Sequence, residues 1–152
     1  MEHKVKMVDP QELIPSLLEL LNDAPSVPLL ISGNSMSPFL IHGRDTVYLS
    51  RITQPPKVGD MILYRRDNGR YVLHRIYAVH ETFTMVGDAQ TQLETGIRPD
   101  QMLAIVTAVC RRGKHLEKGS FWWDFFEKRW IRMVVMRPAV QAIYSRAKKL
   151  LD

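Results

Sequence analysis

The alternation of apolar and polar residues divides the chain into a helical start, a β-rich middle and a helical end. In residues 9–21, leucines recur at helical spacing, at positions 13, 17, 20 and 21. Asp9 followed by Pro10 is a typical helix start, because proline is well tolerated at the first helical position. The pattern predicts a short amphipathic helix that ends at the turn-forming sequence NDAPSVP, residues 22–28.

The middle of the chain carries the signals of β-strands. Two β-rich runs, Met61–Arg65 and Tyr71–Val79, flank the pair Asn68-Gly69. Asn-Gly is typical of a type I′ hairpin turn, in which both central residues have positive φ. Further strands are predicted at 46–49, 82–86 and 102–109. We therefore predict a mainly β fold, either a coiled antiparallel sheet or a distorted barrel.

The last part of the chain is rich in aromatic residues. One helical face can be lined by Trp122, Phe125, Phe126, Trp130, Met133 and Val134. Pro138 is expected to kink or divide this helix. The predicted organisation is an N-terminal helix and connector (1–24), a β-core (25–116) and a basic aromatic C-terminal helical segment (117–152).

Composition is that of one ordinary globular domain: 152 residues, 45% hydrophobic and 24% charged. The chain shows neither a secretory signal nor an apolar run long enough to span a membrane, so we expect a cytoplasmic protein. A lone cysteine, Cys110, excludes an internal disulfide. It shows no metal-ligand spacing with His3, His42, His80 or His115, so neither a metal nor another cofactor is expected.

Positive charge is concentrated at the C-terminal end. Of the formal net charge of +5, residues 120–152 carry +4, from seven bases and three acids. Because the rest of the chain is nearly neutral, no nucleic-acid partner is expected. Two interpretations of the C-terminal segment stay open: packing on the β-core, or contact with an anionic membrane surface, which the concentrated charge favours.

Four short motifs follow one another along residues 29–111. They are SGNSMSP at 32–38, GDMILY at 59–64, YVLHRI at 71–76 and GD at 87–88. In this order they resemble the signal peptidase I family and its LexA-like relatives. The resemblance implies that Ser35 is a nucleophile and that the residue at position 74 is its general base. Histidine, rather than lysine, stands at that position, which is similar to the endoplasmic-reticulum-type signal peptidases.

The chemistry of these residues agrees with those roles. A serine hydroxyl needs a nearby base to remove its proton as it attacks. His74 shares a strand face with Val72 and Ile76, so partial burial is expected to keep the imidazole neutral. A neighbouring carboxylate opposes burial, and we expect a pKa within about one unit of the ordinary histidine value.

The remaining site residues are less closely defined by the pattern. Asp88 and Glu94 both match acidic positions that the resemblance associates with orienting the histidine, and the sequence leaves the choice open. For the oxyanion we predict the Ser35 backbone N–H, with Asn34 or Ser32 as a second donor.

The sequence therefore predicts a serine endopeptidase that acts on a peptide or protein substrate through an acyl-enzyme. A LexA-like self-cleaving protein is disfavoured, because the chain has no Ala-Gly dipeptide and no room for a helix-turn-helix domain. The non-enzymatic alternative is a peptide-binding or scaffold protein on the same fold.

Overall fold

The computed structural model describes residues 9–151. Helix α1 (Pro10–Leu20) precedes eight strands and a composite C-terminal helix. The strands are β1 (Val27–Leu30), β2 (Thr46–Ser50), β3 (Met61–Arg65), β4 (Tyr71–Val79), β5 (Phe83–Val86), β6 (Glu94–Ile97), β7 (Met102–Arg111) and β8 (Lys114–Leu116). A short 3₁₀ turn, Pro99–Gln101, leads into β7.

The predicted N-terminal helix is confirmed. The Asp9 side chain accepts a hydrogen bond from the Gln11 backbone N–H, which caps the first turn. On the inner face Ile14 and Leu17 are buried, and Leu21 continues the same apolar stripe. Burial of this stripe holds α1 against the sheet, so the helix covers one side of the core.

The sheet is antiparallel throughout and open, so the predicted mainly β fold takes its coiled-sheet form and not that of a closed barrel. Its strand order is β1-β2-β7-β3-β4-β5-β6, with β8 paired to β7. Strands β1, β6 and β8 each pair with a single neighbour and are edge strands, and the sequence pattern predicted none of them. Strand β1 was mistaken for connector because Pro28 lies within it, and proline is tolerated there because the strand is an edge.

The β3–β4 hairpin is confirmed, whereas its predicted turn type is wrong. Arg65 pairs with Tyr71, and the Gly69 N–H donates to the Arg66 carbonyl at 2.8 Å. Gly69 has φ +88°, but Asn68 does not have positive φ, so the type I′ condition fails. A three-residue loop with glycine in the left-handed position replaces it.

One main hydrophobic cluster draws on all three predicted parts of the chain. It contains Ile14 and Leu17 of α1, Phe39 and inward residues of the sheet, and the C-terminal Trp123, Phe126 and Trp130. These aromatic side chains pack on the β-core. A second cluster, centred on Tyr64 and Ile76, lies around β3, β4 and β5.

The C-terminal helix runs from Phe121 through four successive geometries. These are α2 (Phe121–Asp124), a π-helical turn (Phe125–Arg129), a 3₁₀ stretch (Trp130–Met136) and α3 (Arg137–Leu151). The break falls at Met133, with φ −101° and ψ 25°, and not at the predicted Pro138. Pro138 is the second residue of α3, where its missing N–H costs nothing. None of the described helices is long and apolar enough to cross a membrane.

Candidate active site

The loop that carries Ser35 follows β1 and is held by its own backbone. Gly33 has φ +83°, and its N–H donates to His42 Nδ1 at 2.9 Å. The Ser37 N–H donates to the Asn34 carbonyl at 3.1 Å, which closes a turn around the serine. Ser35 is half-buried at the centre of this turn.

The loop that follows β5 holds the Ser35 backbone in place. The Ala89 N–H donates to the Ser35 carbonyl at 2.9 Å. A Cβ atom added at Gly87 would lie 2.5 Å from the same carbonyl oxygen. Glycine is therefore required at position 87, because only its missing side chain lets the two loops approach this closely.

His74 lies in the middle of β4, and its side chain is 3% exposed. The Tyr64 hydroxyl lies 3.1 Å from His74 Nδ1 and donates to Glu94 Oε2 at 2.8 Å. Because the Tyr64 hydroxyl donates its proton to the carboxylate, it can only accept a hydrogen bond from His74 Nδ1. The network thus assigns the proton of the neutral imidazole to Nδ1 and leaves the lone pair on Nε2.

The free nitrogen of His74 and the serine belong to one cavity. Both residues line an open cavity of about 320 Å³, together with Ile31, which follows β1, and Tyr71 at the start of β4. Within residues 9–151, His74 Nε2 makes no hydrogen bond, although the atom keeps contact with solvent. The Ser35 hydroxyl likewise has no hydrogen-bond partner among the described residues, so the predicted nucleophile and base share the cavity without being bonded to each other.

Burial controls the protonation of this network. It lowers the pKa of His74 to about 4, while Glu94 acts to raise that pKa and Arg66 to lower it. The predicted pKa near the ordinary value is therefore wrong, because loss of hydration outweighs the carboxylate. Burial also raises the pKa of Tyr64 well above its usual range, with Glu94 adding to the effect, so the phenol keeps its proton.

Glu94 is the acid that faces the histidine, and it does so through Tyr64. Burial alone would raise the pKa of its carboxyl, but hydrogen bonds from Arg66 and Tyr64 lower it overall. Arg66 binds the carboxylate through two nitrogens, at 3.0 and 2.8 Å. The carboxylate is therefore ionised, and its charge reaches His74 across one intervening hydroxyl.

Asp88 does not contact His74 and instead forms an ion pair with Arg75. Its two carboxylate oxygens accept from Arg75, at 2.9 and 3.0 Å, and both side chains are almost fully buried. Arg75 also donates to the Gly59 carbonyl, and Trp130 Nε1 donates to the Asp88 carbonyl. Asp88 therefore does not orient His74: it joins the two Gly-Asp motifs to β4 and to the C-terminal helix.

The predicted oxyanion donors differ in their placement. Among the described residues the Ser35 backbone N–H has no acceptor, so it is free to bind a ligand oxygen. Ser32 and Asn34 line the same cavity but are exposed, and no contact fixes either side chain towards Ser35. The backbone N–H of Ser35 is thus the best-placed donor.

Tyr64 is the residue that sequence reasoning missed. The signal was present in the hairpin register: Ile62 pairs with His74, so Tyr64 lies two positions along the same face. Arg66, which holds Glu94, has no comparable signal, because its partner is 28 residues away.

Within residues 9–151, no group of three or more His, Cys, Asp or Glu side chains is arranged to hold a metal ion. Comparison of the whole chain with family models, curated proteins and solved structures finds no match.

Proposed function

We propose that this protein is a serine endopeptidase in which Ser35 is the nucleophile and His74 the general base. The observation that carries the proposal is the hydrogen bonding of the His74 ring, which leaves Nε2 unprotonated. Its Nδ1 is occupied by the Tyr64 hydroxyl, and its unpaired Nε2 lies in the cavity that Ser35 also lines. This is the tautomer that a serine-activating histidine requires.

The reaction begins when Ser35 Oγ attacks the carbonyl carbon of a peptide bond and His74 Nε2 takes the hydroxyl proton. The tetrahedral oxyanion accepts a hydrogen bond from the Ser35 backbone N–H. The imidazolium keeps its Nδ1 hydrogen bond to Tyr64, and the Glu94 carboxylate stabilises the new charge. His74 then protonates the leaving amine, and water releases the acyl group by the same steps in reverse.

The low pKa of His74 determines how the proposed reaction rate depends on pH. A base with a pKa of about 4 is neutral throughout the physiological pH range, so it is always ready to accept a proton. Because general bases work best when their pKa is close to the operating pH, such a histidine is also a weak base. We expect slow hydrolysis with a rate that does not vary between about pH 6 and pH 8.

The proposed substrate is an extended peptide. The cavity lies beside residues 29–31, at the free edge of the sheet, and an edge strand can pair with an added peptide strand. The family resemblance suggests small side chains before the scissile bond. This preference rests on the resemblance alone.

A second candidate is a peptide-binding protein that keeps this fold without turnover. Two observations favour it: the Ser35 hydroxyl makes no hydrogen bond to His74, and the pKa of the imidazole is about 4. Catalytic hydrogen bonds are often long before substrate binds, so the first observation does not exclude catalysis.

Labelling with a fluorophosphonate separates the two candidates, because only an activated serine reacts. We expect wild type to be labelled at Ser35, and both Ser35→Ala and His74→Ala to lose labelling while keeping the fold. Ser37→Ala, in the same loop, is the matched control and should be labelled normally. An unlabelled but folded wild type would leave the binding protein as the better account.

A further inference from the structure

The last helix carries an apolar stripe that the rest of the protein leaves uncovered. The stripe comprises Val140, Ile143, Tyr144, Ala147, Leu150 and Leu151. At 100° per residue these positions fall on one side of α3. Val140 packs against the main cluster, but Ile143 is 68% exposed and Leu150 is 87% exposed.

The start of α3 is firmly attached to the body of the protein. Arg137 is fully buried and donates to the carbonyls of Gly87, Gln90 and Trp130. Beyond the first turn, every residue from 142 to 151 is exposed. The helix therefore leaves the body as an anchored arm, with its apolar side facing solvent.

The charge of this arm has one sign. Residues 142–151 contain three bases and no acid. On α3, Arg146 and Lys148 lie at the two borders of the apolar stripe, and Lys149 lies on the opposite side. An amphipathic helix with bases beside its apolar face is typical of peripheral binding to anionic lipid.

Two aromatic side chains of α2 are also exposed. Phe121 is 70% exposed, and the Arg111 guanidinium sits 5.6 Å from the centre of the Trp122 ring. Trp122 is 46% exposed.

We propose that α3 binds the surface of an anionic bilayer, with the apolar stripe buried among the lipids. A second copy of the chain fits this surface poorly. A two-fold symmetric dimer places the same patch against itself, and here that would bring like charges together. A bilayer supplies both an apolar layer and an excess of negative charge, which match the stripe and its borders.

This proposal is independent of the peptidase activity, because none of its residues is Ser35, His74 or one of their partners. The test is cosedimentation of the full chain with vesicles of phosphatidylcholine alone or of phosphatidylcholine mixed with phosphatidylglycerol. We expect strong binding to the mixed vesicles only, weakened by added salt. Binding that is equal for both vesicle types would overturn the electrostatic half of the proposal.

Two triple variants test the two parts of the helix. Neutralising Arg146, Lys148 and Lys149 to Gln should weaken binding to anionic vesicles by at least about thirtyfold, since the two bases at the borders of the stripe contribute about 1 kcal/mol each and Lys149, on the far side, contributes less. Replacing Ile143, Leu150 and Leu151 by Ser should remove binding at all salt concentrations. The matched control replaces three exposed bases on other elements, Arg51, Lys57 and Arg65, by Gln and should bind as wild type.

All the replaced side chains are exposed, so the variants are expected to fold, which thermal unfolding verifies. If the control loses as much binding as the α3 variants, the attraction comes from net charge and the proposed surface is wrong. If the chain binds no vesicle but forms a dimer that the Ile143, Leu150 and Leu151 variant breaks, a second copy covers the stripe and the proposal is overturned.

Discussion

Two arginine–carboxylate pairs lie close to His74, and they differ mainly in burial. In the first, Arg75 binds Asp88 with side chains that are 1% and 0% exposed. In the second, Arg66 binds Glu94 with side chains that are 35% and 28% exposed. Both pairs use two nitrogens and two oxygens at similar distances, so the chemistry of the contact does not distinguish them.

The two pairs have different tasks because neighbouring strand residues face opposite sides of a sheet. His74 points to the cavity, whereas the side chain of Arg75, the next residue, contacts Asp88 and the Phe39 ring. The buried pair is further surrounded by the Phe39 ring, 5.5 Å from the Arg75 guanidinium, and by the Gly59 carbonyl. We infer that the buried pair maintains the fold and that the more exposed pair tunes the site.

The largest expected effect is on stability. Asp88→Asn leaves the Arg75 charge buried without a counter-ion, which should lower the free energy of unfolding by about 3–5 kcal/mol. Glu94→Gln is the matched change in the other pair and should cost about 1 kcal/mol or less, because solvent screens a partly exposed pair. Urea unfolding of both variants measures the difference, and equal losses would contradict the distinction between the pairs.

The next effect is the loss of stability in acid. His74 has a pKa of about 4 in the folded protein, against an ordinary value of 6.5, so between these pH values the unfolded chain binds the additional proton. Its contribution is therefore fully present above about pH 6.5 and falls by about 3 kcal/mol as the pH drops to 4. Lowering of the Glu94 pKa adds a loss in the same direction, at the acid end of this window.

His74→Gln should flatten the dependence of unfolding free energy on pH between about 5 and 6.5. The measurement is urea unfolding at several pH values. If the unfolding free energy of His74→Gln depended on pH as steeply as that of wild type, burial of a neutral His74 imidazole would not be the cause of the acid sensitivity.

A smaller effect is expected on the rate of hydrolysis. Tyr64→Phe removes the hydroxyl that orients His74 and connects it to Glu94, and Glu94→Gln removes the charge behind it. Loss of such an orienting partner typically costs about 10–100-fold in activity. The control is Tyr48→Phe, since Tyr48 lies on β2 and does not line the cavity. Full activity in both Tyr64→Phe and Glu94→Gln would remove this network from the mechanism.

The smallest effect is a pair of shifts with opposite sign. Glu94 raises the pKa of His74 and Arg66 lowers it, both less than burial does. Glu94→Gln should therefore move the imidazole titration to lower pH, and Arg66→Gln should move it to higher pH. NMR titration of the His74 ring measures both, and shifts in the same direction would contradict the proposed arrangement.

The sequence predicted those features that depend on local pattern. Helix α1 was predicted from its cap and leucine spacing, and strands β3 and β4 were predicted with their exact bounds because Asn68-Gly69 marks the turn between them. The ordered motifs also predicted that Ser35 and His74 belong to one site. The common cavity supports that expectation, and their roles stay predictions.

What the sequence left open depends on contacts between distant residues. The choice between Asp88 and Glu94 was decided by Arg75, which occupies Asp88, and by Tyr64, which bridges to Glu94. Burial of His74 was anticipated, but its strength depends on the packing of β3 and β5 on either side of β4. No local pattern contains that information.

The most direct test of the account is the pH dependence of fluorophosphonate labelling at Ser35. If neutral His74 activates the serine, the labelling rate should rise with pH through a single ionisation near pH 4 and then stay level to pH 8, and His74→Ala should not react. A rise only above about pH 9 would indicate a lysine base. Labelling that is unchanged in His74→Ala would contradict the central claim.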